Sequence, residues 1–89
     1  MVAFGGGQTA ALLRAYAPHT WERVDLIVLD DTNETWDLGK PIAPYRNAVQ
    51  TLQAAQTLIA TAPRTQKAVA ERIRKDGLYP IVWDDLIAN

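Results

Sequence analysis

The chain has 89 residues, a formal net charge of −1 and no cysteine, so it forms one domain (1–89), alone or within a larger enzyme, without disulfides or thiolate chemistry. Hydrophobic residues make up 48% and charged residues 21%, which is ordinary for a globular protein and argues against disorder. Basic residues are scattered, no apolar run approaches the ~20 residues that span a bilayer, and no basic segment precedes the N-terminal apolar residues. This argues against nucleic-acid, membrane and secretory classes and predicts a cytoplasmic protein.

The first stretch of the chain predicts a short strand, a glycine turn and the start of a helix. Gly5, Gly7 and Ala10 fit the spacing G-x-G-x-x-G/A. This spacing lets the backbone approach a phosphate while the helix N-terminus directs free N–H groups towards it. The predicted ligand contacts in this turn are Gly5, Gly6, Gly7, Gln8 and Thr9. The alternative interpretation is a tight turn that only allows close packing of strand and helix.

The first helix is predicted over residues 8–17 and ends before Pro18, because the residue before a proline leaves the α region. Its predicted apolar face consists of Ala11, Leu12, Ala15 and Tyr16. Residues 19–23 are predicted as the loop that leads to the next strand.

The second strand, residues 24–29, is apolar at nearly every position, as in a parallel sheet covered on both faces. Asp30 and Asp31 follow at its carboxyl end, where open α/β sheets bind ligands. Adjacent side chains at a strand end point in opposite directions, so one of the two is predicted to hold ribose or sugar hydroxyls. Helix capping and ordinary solvation are the alternatives for both.

The rest of the chain continues the alternation of strands and helices. An edge strand is predicted at 40–43, a helix at 45–55, a strand at 57–61, a helix at 65–75 with Gly77 at its C-cap, and a last strand at 79–83. Arg64 follows the fourth strand on the ligand side. Two predictions stand for this residue, a contact with a phosphate and simple exposure to solvent. The sequence holds no nucleophile–base pair and no metal-ligand spacing, so neither catalysis by this chain alone nor a metal site is predicted.

This alternation predicts an α/β domain with a small parallel sheet of four or five strands in the order 3-2-1-4-5, and three helices. The first helix then covers one face, and the other two cover the opposite face. On the face of the sheet that the first helix covers, no helix is predicted to lie over the last two strands. Apolar residues around Ile59, Ile81 and Trp83 are therefore predicted to be buried by another domain or a second copy. Assembly into a homo-oligomer or docking on another domain would also stabilise the fold, because a chain of this size buries only about 60% of its unfolded surface.

Five segments carry a resemblance to a known family. They are the turn Gly5-Gly6-Gly7, the strand end Leu29-Asp30-Asp31, and residues 38–42, 58–64 and 70–77. In this order they resemble the N-terminal nucleotide-sugar-binding domain of bacterial sugar N-acyltransferases. Related small Rossmann-like domains occur in CoA-binding proteins and in the C-terminal part of sugar C-methyltransferases. Gln8-Thr9 stands where the acyltransferases usually have a Gly-His step.

The resemblance implies a Rossmann-like module that binds a nucleotide or nucleotide-sugar for an acyl- or methyl-transferring system. The segments that would transfer the acyl or methyl group are not in this sequence, so the module is predicted to bind without catalysing. The alternative hypothesis is a structural or oligomerisation domain, a degenerate Rossmann fold that docks on a partner or on itself.

Overall fold

A computed structural model of the chain describes residues 1–30, 38–53 and 55–82. Five strands form one parallel sheet: β1 (Val2–Phe4), β2 (Leu26–Leu29), β3 (Ile42–Pro44), β4 (Gln56–Ile59) and β5 (Tyr79–Ile81). The described helices are α1 (Gln8–Tyr16), α2 (Pro18–Glu22), α3 (Tyr45–Ala48) and α4 (Pro63–Lys75). The strand order β3-β2-β1-β4-β5 confirms the predicted α/β class and topology.

The sheet separates two hydrophobic cores, because successive side chains of each strand point to opposite faces. In the register of the sheet, Ala3 lies beside Ile27 and Leu58, and all three are buried on the face covered by α1 and α2. The next residues along, Phe4, Val28 and Ile59, are buried on the face covered by α3 and α4. Each core is therefore built from alternate positions of the same three strands.

The α1–α2 face differs from the sequence prediction in two respects. The buried residues of α1 are Ala10 and Leu13, whereas Leu12 is 40% exposed and Tyr16 78% exposed, so the predicted apolar face was wrong. Residues 18–22, predicted mostly as loop, form α2, which makes four helices rather than three. Pro18 ends α1 as predicted, but its fixed φ also suits the first turn of a new helix. This helix buries Trp21 in the α1–α2 core.

The α3–α4 face has a shorter first helix than the sequence predicts. α3 ends at Ala48, and residues 49–53 continue as turns rather than as the predicted helix to residue 55. The Thr51 hydroxyl donates to the Ala48 carbonyl at 2.8 Å, a local bond of the kind that competes with helical pairing. α4 begins two residues before the prediction, with Pro63 in its first turn, and Gly77 follows its C-cap at φ +92°, as predicted.

The strip predicted to lack a helix lies over β5. Ile59 was assigned to it wrongly, because this side chain points towards α4 and is fully buried. Ile81 is half-buried against the α1–α2 core, and Tyr79, two positions earlier on the same face, is 63% exposed. Trp83 lies outside the described residues. Burial of this strip by a second copy or another domain stays a prediction.

Within the described ranges, the helices are all too short or too polar to cross a bilayer.

Candidate anion-binding cleft

Gly5 allows β1 to turn closely past the end of β4. Its N–H donates to the Val28 carbonyl at 2.9 Å, and its φ of +109° lies in the region that favours glycine. A Cβ atom at this position would lie 2.7 Å from the carbonyl oxygen of Ala60. Packing alone therefore accounts for Gly5, in agreement with the structural interpretation of the turn.

Gly7 has no such packing constraint. It is the N-cap of α1, its φ is −101°, and no side chain caps the helix. A Cβ atom at Gly7 would meet no other atom within 4 Å. The missing side chain leaves open space above the helix N-terminus, where the first N–H groups have no partner within the helix. Gly7 is thus the glycine of the turn that favours the ligand interpretation.

An open cleft of about 290 Å³ lies over this N-terminus. It is lined by two short segments from the ends of β1 and β4: Gly5, Gly6, Gly7, Gln8, Thr9, Ala60, Thr61 and Ala62. The structure thus brings together all five residues predicted in the glycine turn. The wall formed by 60–62 was not assigned to the site from sequence. The predicted strand order contained the signal for it, because β4 beside β1 places the two carboxyl ends next to each other.

A second helix begins at the same cleft. Ala62 is the N-cap of α4, which, like α1, has neither a capping side chain nor an acidic residue in its first turn. None of the eight described residues that line the cleft carries a charge. The N-caps of two helices therefore lie together among uncharged described residues, an arrangement that attracts an anion.

Thr61 lines this cleft and carries an unpaired polar group. Its Oγ1 atom is buried and has no hydrogen-bond partner among the described residues, whereas its carbonyl accepts a 3.1 Å bond from Nε2 of Gln66, a residue only 7% exposed. The backbone of the cleft wall is thus held in place while the hydroxyl keeps its hydrogen-bonding capacity. An unpaired buried hydroxyl costs free energy unless it gains a hydrogen-bond partner.

Of the predicted charged contacts, Arg64 and Asp30 are not among the described residues that line the cleft. Arg64 is exposed in the first turn of α4, two positions after Ala62. Asp31 lies outside the described residues. Asp30 follows β2, and its carboxylate accepts two hydrogen bonds from Arg72, Nη1 to Oδ2 at 2.7 Å and Nη2 to Oδ1 at 2.8 Å. The sugar contact predicted for Asp30 stays a prediction, and this side chain already has a partner from α4.

Arg72 connects Asp30 to an aromatic cluster on the α3–α4 face. Its guanidinium carbon lies 4.8 Å from the ring centre of Tyr45 and 5.7 Å from that of Phe4. The hydrogen bonds from Arg72 lower the pKa of Asp30, and Asp30 in turn raises the pKa of Arg72. Sequence reasoning missed this pair, because its members are 42 positions apart and no local motif connects them.

Tyr45 extends the same cluster to the end of α4. Its hydroxyl donates to Oδ2 of Asp76 at 2.6 Å, and its ring meets Phe4 edge-on with the ring centres 5.1 Å apart. Burial, and then the hydrogen bond to the Asp76 carboxylate, raise the pKa of Tyr45 above its ordinary value. The cluster is a structural connection between β1, β2, α3 and α4, on the opposite side of the sheet from α1.

No three His, Cys, Asp or Glu side chains in residues 1–30, 38–53 and 55–82 come together in a way that could hold a metal ion. Compared with known protein families, curated proteins and solved structures, the chain matches none. The resemblance to nucleotide-sugar-binding domains therefore stays a prediction.

Proposed function

We propose that this chain binds the phosphate-bearing part of a nucleotide or nucleotide-sugar in the cleft between the glycine turn and the end of β4. The observation that carries the proposal is the meeting of two helix N-termini without side-chain caps, those of α1 and α4, in one cleft whose described lining residues are uncharged. Each helix end is worth about 0.3–1 kcal/mol to a nearby negative charge. Two ends acting together favour a phosphate group over a neutral ligand.

The position of the cleft in the sheet supports a nucleotide rather than a small anion alone. From β1 the chain first builds towards β2 and β3, and then returns to add β4 and β5 on the other side. The cleft lies at the carboxyl ends of β1 and β4, between which this reversal occurs. Open α/β sheets bind their ligands in this crevice.

The residues of the cleft have distinct roles in this proposal. Backbone N–H groups of Gln8 and Thr9, in the first turn of α1, donate to phosphate oxygens. The Thr61 hydroxyl donates a further bond, and Arg64 reaches the outer phosphate oxygens from the first turn of α4. Asp30 or Asp31 accepts bonds from sugar hydroxyls. The chain supplies binding, and a transferase domain supplies the acyl or methyl transfer.

The test is a calorimetric titration of the whole chain with UDP, ADP and inorganic phosphate, repeated on Gly7→Asp. Binding of a nucleoside diphosphate is expected for the natural chain. A carboxylate at the N-cap occupies the α1 N–H groups, so we expect Gly7→Asp to weaken binding at least tenfold, about 1.4 kcal/mol. The same cap stabilises α1 by about 0.3–1 kcal/mol. Binding and stability thus change in opposite directions, which separates lost affinity from unfolding.

Gln50→Glu is the matched control, because it makes the same change in net charge at an exposed position of the turn after α3. It should bind like the natural chain. Equal affinity of the natural chain and Gly7→Asp would contradict the proposed site. No heat from any of the three ligands, together with a melting temperature that rises with protein concentration, would favour the structural alternative, a module that associates through its exposed strip over β5.

A further inference from the structure

Gln66 is a polar residue at a position where the pattern of α4 predicts an apolar one. It lies four and seven positions before Ala70 and Ile73, so the three residues share one face of the helix. All three are buried, and Ala70 and Ile73 belong to the core of the α3–α4 face. Burying an amide costs free energy unless it is hydrogen-bonded, so packing alone does not account for a glutamine here.

The amide of Gln66 holds one peptide group of the cleft wall. Its Nε2 atom donates to the Thr61 carbonyl at 3.1 Å. The peptide bond between Thr61 and Ala62 is trans, so this peptide is planar and its C=O and N–H point in opposite directions. The Ala62 N–H is therefore directed away from the Gln66 amide.

The Ala62 carbonyl is also bound from α4. It accepts one hydrogen bond from the N–H of Thr65 at 2.9 Å and another from the Thr65 hydroxyl at 2.8 Å. The carbonyls of Thr61 and Ala62 thus both pair with donors from α4, which matters because a carbonyl oxygen repels an anion whereas an N–H attracts it. Pro63, the first residue of α4, has no N–H to donate, so the N–H of Ala62 is the more important at this helix end.

We infer that Gln66 is a positioning residue of the anion site and that the Ala62 N–H is a further donor to the bound phosphate, an inference that rests on the function proposed above. Thr61 and Ala62 both line the cleft. By holding the Thr61 carbonyl, Gln66 keeps this peptide from turning over and placing its oxygen in the cleft. The Ala62 N–H then adds a donor from the start of α4 to those of Gln8 and Thr9 at the start of α1.

The first test is a calorimetric titration of the Gln66→Met variant with UDP, ADP and inorganic phosphate. Methionine fills a similar volume in the core but has no N–H, so the Thr61 carbonyl can turn towards water in the open cleft. The affinity for the nucleoside diphosphate should fall about tenfold, the effect of losing a hydrogen bond to a charged group. The melting temperature should stay within a few degrees of that of the natural chain, which a purely structural role would not allow.

Gln53→Met is the matched control, because Gln53 makes the same kind of bond at the opposite end of α4. Its Nε2 atom donates to the carbonyls of Val49 at 3.0 Å and Asp76 at 2.8 Å. This variant should lose stability and keep the affinity of the natural chain. The two glutamines should thus differ in which property changes.

A spectroscopic measurement tests the Ala62 donor by itself. In a proton–nitrogen correlation spectrum of the natural chain, saturation with UDP or ADP should shift the amide proton of Ala62 downfield as it donates to a phosphate oxygen. In Gln66→Met, saturation with the same nucleotide should shift this proton much less.

The outcomes distinguish this inference from the proposed function. If the natural chain binds a nucleoside diphosphate and Gly7→Asp weakens binding, an unchanged affinity of Gln66→Met or an unshifted Ala62 amide proton would overturn the inference alone. Equal losses of affinity for Gln66→Met and Gln53→Met would also overturn it, because they would reflect stability rather than position. Binding that Gly7→Asp leaves unchanged, or no binding by the natural chain, would overturn both.

Discussion

The two faces of the sheet are stabilised in different ways. On the α3–α4 face, side chains from four elements form a connected cluster: Phe4, Asp30, Tyr45, Arg72 and Asp76. On the α1–α2 face the described core is almost wholly apolar, and α1 begins without a capping side chain. Polar side chains are thus paired with one another on the α3–α4 face, whereas the N-terminus of α1 has no side-chain partner.

This difference separates stability from binding. Hydrogen bonds and stacking on the α3–α4 face fix the position of α4 against the central strands, so substitutions there should change the free energy of unfolding. The glycine turn leads to α1 on the other side of the sheet, where a side chain at Gly7 would meet no neighbouring atom. Substitutions at Gly7 should change ligand affinity and alter the free energy of unfolding by no more than about 1 kcal/mol. Gly5 is the exception. It belongs to the glycine turn, but its close packing against Ala60 means that a substitution there should change the free energy of unfolding.

The largest effect is expected for Gly5→Ala. The side chain would be strained at φ +109° and would meet the Ala60 carbonyl, so the free energy of unfolding should fall by about 3 kcal/mol. Urea denaturation followed by tryptophan fluorescence measures this loss.

Gly7→Ala is the matched control in the same turn. Alanine is a poorer N-cap than glycine but reduces the entropy of the unfolded chain, so the two effects should cancel within about 0.5 kcal/mol. Similar losses for Gly5→Ala and Gly7→Ala would show that the turn as a whole is structural and would remove the distinction between the two glycines.

Tyr45→Phe should have the next largest effect. It keeps the ring contacts with Phe4 and Arg72 but removes the hydrogen bond to Asp76, which should cost about 1–2 kcal/mol. Tyr16→Phe is the control, because Tyr16 is 78% exposed and the same change should cost nothing measurable. Equal urea midpoints for the two variants would contradict the role assigned to the Tyr45 hydroxyl.

The effect of Tyr45 should also depend on pH. The fold raises the pKa of Tyr45, so its contribution is complete below the ordinary tyrosine pKa of about 10 and is lost as the pH rises above it. The difference in stability between the natural chain and Tyr45→Phe should therefore shrink between neutral and strongly alkaline pH. A difference that stays constant over this range would show that the tyrosine is not held in its neutral form.

The smallest effect is expected for Asp30→Asn. Solvent screens the pair with Arg72, whose side chains are 61% and 44% exposed for Asp30 and Arg72 respectively, so the loss should stay below about 1 kcal/mol. Arg72 lowers the pKa of Asp30 in the fold. The stabilisation is therefore complete above the ordinary value of 3.8 and is lost as the pH falls through the lower folded pKa.

Urea denaturation at several pH values from neutral to strongly acid checks this dependence. The two proteins should differ at neutral pH and converge in acid. Arg72→Lys keeps the charge but loses the paired hydrogen bonds, and should be destabilised at neutral pH by a similar amount. A difference for Asp30→Asn that grows in acid would contradict the pairing.

Local patterns were enough to predict most elements, and their failures share a cause. The strands were identified by their apolar runs, and Gly77 by its place after a helix. The exposed Leu12 and Tyr16 were misassigned to the core, because an apolar stripe on a helix does not show which of two neighbouring stripes faces the sheet. The helix at residues 18–22 was missed, because Pro18 both ends one helix and begins the next.

The sequence by itself determined the α/β class, the strand order and the glycine turn, since each depends on neighbouring residues and on the handedness of strand–helix–strand connections. The tertiary structure decided which groups meet across long separations. It placed residues 60–62 against the glycine turn and brought the N-cap of a second helix to the cleft. It also paired Asp30 with Arg72, 42 positions away. Such meetings depend on strand register and side-chain direction, and a linear pattern specifies neither of them until the sheet is assembled.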